Sequence, residues 1–182
     1  TTVLFGGVQA AAEIAATVTG ARAATGLIES RLGQLEMASG GDRLLTTMGP
    51  ARVNNPLEYQ TIMFELDAQG VSVTLRPGEY AYGPSARSGR PGNVVVDPNS
   101  SLSALRHEYG HFLDDQALGF PGMRFYMENP SSRLASERSQ YLGEIRTARE
   151  LGDQTARREL ILDYLRERSV LIETWYTRPY GR

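Results

Sequence analysis

The chain holds two histidines, and both stand in one short run, His107-Glu108-Tyr109-Gly110-His111. On a helix, positions i and i+4 lie on one face, a turn apart. Two imidazoles so placed can meet a single metal ion. Glu108 sits one residue round from His107, within reach of a water at that ion. These are the parts of a zinc peptidase. In that chemistry zinc brings the pKa of water down toward ~7, and Glu108 takes the proton as the oxygen attacks a carbonyl. The same carboxyl can then pass the proton to the leaving amine.

A catalytic zinc site commonly uses three protein ligands and keeps one position open. With no cysteine and no further histidine, the third ligand must be a carboxylate. Asp114, Asp115, Glu128, Glu137 and Glu144 are the downstream candidates. Asp114 and Asp115 are too near His111 on the same helix to complete a tetrahedron easily, but one of them can orient a histidine from behind. On a predicted helix over 130–151, Leu134, Tyr141, Ile145 and Ala148 form an apolar stripe. Glu137 falls one turn from both Leu134 and Tyr141, at the flank of that stripe, where a carboxylate needs a partner. Glu144 lies two turns further along the same side and stays open as the alternative. Arg138, also near the stripe, offers a competing partner. The oxyanion formed in such a reaction calls for a donor. Tyr126, Tyr141, Tyr176 and Tyr180 are available, and spacing does not choose among them.

The elements that must position these groups follow from turn signals and periodicity. Residues 8–37 read as helix, interrupted at Gly20 and at Thr25-Gly26, and residues 38–56 read as loop. Residues 59–65 and 71–76 read as strands joined by a hairpin at Asp67-Ala68-Gln69-Gly70. Asn93-Val94-Val95-Val96 is a further β run. Its place just before the motif suggests that a substrate backbone could pair along it. Ser100 or Ser101 caps a helix that carries the histidines and stops near Gly119. Asn129-Pro130 opens the helix to about Leu151, which Gly152 ends. A last helix spans 154–174, with Ile161, Tyr164, Leu165, Ile172 and Trp175 on one side. The order of elements gives an α+β class. The expected architecture is a small, mostly antiparallel sheet packed against the motif helix and the C-terminal helices. The expected division is an N-terminal helical appendage with linker, 1–56, and a catalytic domain, 57–182.

The nine residues His107-Glu108-Tyr109-Gly110-His111-Phe112-Leu113-Asp114-Asp115 resemble the zinc helix of anthrax lethal factor-like peptidases, a branch of the zincins. The resemblance implies a zincin-like fold, one zinc per chain, endopeptidase activity on a protein substrate, and a third ligand on a downstream helix. Ala135-Ser136-Glu137, with Tyr141 four residues on, is similar to that ligand segment, so the ligand role carries to Glu137. The chain departs from the family where Arg138 and Ser139 replace an aromatic pair, and where Pro130 stands in place of a tyrosine. The short frame around the motif, in a chain that opens on Thr1, also resembles the terminal toxin domains of Rhs-type bacterial effectors. That likeness implies secretion or delivery into a target cell's cytosol as part of a larger polypeptide, and leaves room for a cognate immunity protein.

Composition narrows the alternatives. All 19 basic residues are arginine, against 21 acids, for a net charge of −2. Residues 1–100 carry 7 Arg and 9 acids, and residues 101–182 carry 12 of each. No basic patch marks a nucleic-acid partner. The lysine-free composition fits a GC-rich bacterial genome or a protein that works in a foreign cytosol, where lysines are modified. The apolar stretch 3–19 is broken by Gln9, Glu13 and paired glycines. It reads as a packed helix, because a membrane span needs ~20 strongly apolar residues. Two other readings stay open: a self-processing peptidase of its parent chain, and a zincin-like binding or sensor module without turnover.

Overall fold

Three successive valines make Asn93–Val96 a strand that fits a sheet buried on its inner face. In the computed structural model, which describes residues 41–177, this strand (β3) is the centre of a three-stranded sheet. Val94 and Val96 are fully buried, while Asn93 and Val95 are half-buried, the period of two expected for a strand. β1 (Ser72–Leu75) pairs with β3 in parallel, Val73 opposite Val94. β2 (Ala81–Gly83) pairs antiparallel on the other side, Tyr82 opposite Val94. The sheet is therefore mixed rather than mostly antiparallel. Both sides of β3 are taken, so the expected pairing of a substrate backbone along 93–96 has no free edge there.

The expected strand at 59–65 is instead the middle of a helix. Short turns α1 (Leu45–Met48) and α2 (Ala51–Asn54) lead into α3 (Pro56–Ala68), with Pro56 in its first turn. Only Ile62 and Leu66 of α3 are buried, one turn apart. Leu57 and Phe64 are 78% and 72% exposed. Apolar residues on both faces hide the helical period, which is why the alternation of Tyr59, Thr61 and Met63 reads as strand. The expected hairpin at 67–70 is the end of α3. Gly70, at φ 74°, lets its N–H reach the Asp67 carbonyl while the Val71 N–H donates to Leu66 at 2.9 Å. This bond pair closes a helix on a left-handed residue, with Leu66 and Val71 in apolar contact range behind it. The chain thus enters β1 from a helix, and β1 is free to run parallel to β3.

Residues 41–56, expected as loop, are packed. Leu44 and Ala51 are fully buried, and the Ala51 N–H donates to the Ser100 carbonyl at 2.7 Å. The motif helix α4 (Leu102–Ala117) follows, then a short unexpected helix α5 (Met123–Glu128), α6 (Pro130–Glu150) and α7 (Gln154–Thr177). One apolar cluster joins the sheet, α3 and α4 through Leu66, Val94, Val96, Leu105 and Phe112. A second joins Leu44 to Tyr141 and Ala148 of α6 and to Ala156 and Leu160 of α7. The buried side of α7 is not the apolar one expected. Ile161 and Leu165 are exposed, and Ala156, Leu160, Asp163, Glu167 and Leu171 face inward. The two acids are tolerated there because arginines meet them: Arg43 and Arg166 on Asp163, Arg133 on Glu167. Among the described residues no helix is long and apolar enough to cross a membrane. The expected helix at 8–37, the stretch 3–19 and the side chain of Trp175 lie outside the described residues.

Candidate metal centre

Local sequence aims the motif helix. Ser101 caps α4, its hydroxyl accepting from the Ala104 N–H at 3.2 Å. Asp42 in turn accepts from both the N–H and the hydroxyl of Ser101. Leu105, Phe112 and Asp115 are buried on the sheet side of α4. His107 and His111 turn to α6, their rings 4.9 Å apart. Gly110 lies on this same side. A Cβ there would meet the end of the Gln140 side chain at 2.0 Å, so the missing side chain leaves the room that Gln140 occupies.

The packing of α4 against α6 brings His107, His111 and Glu137 together, one ligand atom of each within 4.8 Å of the others. Glu137 Oε2 is 3.7 Å from His107 Nε2 and 3.6 Å from His111 Nε2. Four-coordinate zinc with ligands at about 2.0–2.1 Å sets neighbouring donor atoms roughly 3.4 Å apart. The donor set and its spacing therefore suit a metal ion. All three side chains are buried to 10–14% exposure. A buried group of two imidazoles and one carboxylate can hold a metal ion.

The other nitrogen of each ring is held from behind. His107 Nδ1 lies 2.8 Å from Glu144 Oε2. His111 Nδ1 lies 2.8 Å from the Ser136 hydroxyl. That hydroxyl donates to Asp114 Oδ2 at 2.5 Å, so it can only accept from His111. Gln140 donates to the same Asp114 oxygen at 3.1 Å. A carboxylate or an accepting hydroxyl fixes the proton on Nδ1 and leaves the Nε2 lone pair facing the shared point. Tyr141 packs edge-on against His107 at 5.1 Å and limits the ring's rotation. Glu137 Oε1 faces Arg133 Nε at 4.0 Å, and Arg133 also bonds Glu167 at 3.2 Å.

The charges are strongly coupled. Burial pulls the His107 ring down, but Glu144, Glu137 and Glu108 more than offset it, so the metal-free ring keeps its proton well above the usual range. His111 moves up for the same reasons, with Glu137 the main partner. Burial pushes Glu137 up, and the two imidazoles reverse this and hold it well below the carboxylate range. Glu108, 7% exposed, is pushed up by burial, which the two imidazoles only partly offset. It opens on a cavity of about 30 Å³ shared with His107, Tyr80, Tyr141 and Asp42.

The remaining candidates fall into place by geometry. Glu144 is on the far nitrogen of His107, not at the shared point. Asp114 acts on His111 through Ser136. Asp115, fully buried, accepts from Tyr82 at 2.6 Å and Tyr126 at 2.9 Å. Tyr126 is thereby turned to Asp115. Glu128 pairs with Arg124 at the surface, and Arg138 is exposed. Tyr176 and Tyr180 lie outside the described side chains. Ser136, Asp42 and Tyr80 were not found from sequence. Ser136 had a signal: with Gln140 one turn on, it shares the side of the helix next to Glu137. Asp42 and Tyr80 are brought in only by tertiary folding. The chain matches no family model, no curated protein and no solved structure, so the centre is read from its own geometry.

Proposed function

We propose that this protein is a zinc-dependent endopeptidase that cleaves a protein in a target cell, delivered there as part of a larger polypeptide. The carrying observation is the convergence of two Nε2 atoms and Glu137 Oε2, with both Nδ1 atoms fixed from behind and Glu108 beside them. Two histidines and one carboxylate are a donor set that catalytic zinc accepts. When bound, zinc would acidify water and polarise a carbonyl. The residues then divide the work. His107, His111 and Glu137 hold the ion. Glu144 and the Ser136–Asp114 pair hold the proton on Nδ1 and turn each Nε2 toward the shared point. Glu108 takes a proton from the attacking water on a carboxylate oxygen and returns it to the leaving nitrogen. Its burial favours that role, because a raised pKa makes the carboxylate a stronger base. A delivered toxin context is supported by the lysine-free composition.

The test is Glu108→Gln in the zinc-loaded chain. The variant is expected to keep fold and zinc and to lose about 10²–10⁴-fold in peptide cleavage or toxicity. New protein termini in cells expressing wild type, absent with the variant, would identify the substrate. Equal activity of the variant removes the proposed chemistry.

A further inference from the structure

The cavity on which Glu108 opens has room for about one water. Glu108 is 7% exposed and the side chains of His107, His111 and Glu137 are 10–14% exposed, so the centre presents little surface to an extended ligand. Among the residues around the cavity, Ala104, Tyr141 and Leu160 sit on the long helices α4, α6 and α7, and Tyr80 leads into β2. Gly41 and Asp42 alone belong to the segment that precedes α1. We propose that residues 41–44 form a strap that closes the catalytic cavity, and that its detachment opens the site to substrate.

Side chains make the fastenings. Asp42 holds the Ser101 N–H and hydroxyl at the start of α4. Arg43 donates to Asp163 at 2.8 Å and pairs with Glu159 at 3.3 Å, both on α7. Leu44 is fully buried against Tyr141, Ala148 and Leu160. The strap therefore crosses from the N-terminus of the motif helix to α7 over the Glu108 side of the site. Its contacts come from a few side chains, so it can open as a local unit while the sheet and helices stay folded. The inference rests on the peptidase reading for what the opening admits, and not for the opening itself.

The test uses the two histidines, which are the only ones in the chain and both lie in the site. The full chain, freed of metal, is treated with diethyl pyrocarbonate, and the rate of imidazole modification is followed by absorbance. Wild type is compared with Asp42→Ala, Leu44→Ala and Leu66→Ala, each well below its unfolding temperature. Leu66 is as buried as Leu44 but belongs to the cluster under the sheet, so its truncation controls for general loosening. Wild type is expected to react far more slowly than free imidazole. The two strap variants are expected to react about tenfold faster than wild type, from the loss of half-buried charged hydrogen bonds or of the apolar anchor. Leu66→Ala is expected to react at the wild-type rate. If Leu44→Ala does not fold, Asp42→Ala decides. Strap variants that react like wild type, or a Leu66→Ala that reacts as fast as they do, overturn the strap. The zinc content of the same preparations, measured before metal removal, shows separately whether the peptidase reading holds.

Discussion

At the scale of single residues, the two glutamates of α6 that sequence could not fully separate have different work. Glu137 offers Oε2 to the point that both Nε2 atoms face, whereas Glu144 meets the Nδ1 of His107. Losing a ligand oxygen should cost more than losing a partner of a ligand. Glu137→Gln is expected to lose most zinc binding in chelator competition. Glu144→Gln is expected to weaken it by about 10–100-fold, with the ring still held by Tyr141. The opposite ranking would place the ligand on the wrong turn. Ser136→Ala probes the other imidazole. It removes the acceptor that fixes His111 Nδ1, and it should weaken zinc by a similar factor while leaving Asp114 its bond from Gln140.

At the scale of elements, the motif helix and α6 were legible because each carries strong end signals: Ser101 and Gly119 for one, Asn129-Pro130 and Gly152 for the other. The i, i+4 spacing of the histidines then settles their common face. The sheet was less legible. β3 reads clearly from its valines, but α3 reads as strand because exposed Leu57 and Phe64 blur its period, and β1 becomes parallel only because a helix precedes it. The inward face of α7 was missed because two of its buried residues are acids, Asp163 and Glu167, whose partners Arg43 and Arg133 lie far away in sequence. Glu167 gives this element a pH signature. Burial, with help from Glu137, pushes its carboxyl up to about 7, and Arg133 offsets only part of this. The unfolded chain titrates this group near 4.5, so between that value and about 7 the native chain binds more protons. Its contribution to stability is full below the unfolded pKa and falls as pH rises through the native one. In the metal-free chain, Glu167→Gln is therefore expected to gain stability over wild type between pH ~5 and pH ~8, by on the order of 2 kcal/mol. Denaturant midpoints across that range check it, and a difference that does not change with pH contradicts it.

At the scale of the whole molecule, the fold presses α4 between a sheet and a helical pair. The sheet side supplies apolar packing through Leu105 and Phe112, and the helical side supplies Glu137, Glu144 and Ser136. That division explains why the motif could be read in a chain that matches no family model: the spacing of five residues carries the chemistry, while the strap at 41–44 and the buttress behind each histidine arise from contacts distant in sequence. The near-neutral charge carries no net basic excess. Every part of the proposed function depends on one ion at the shared point. The most direct measurement is elemental analysis of the full chain purified without added metal, then reconstituted, alongside Glu137→Gln treated in the same way. The expected result is one zinc per wild-type chain and far less in the variant. Zinc near zero in reconstituted wild type, or an equal content in the two, would contradict the account.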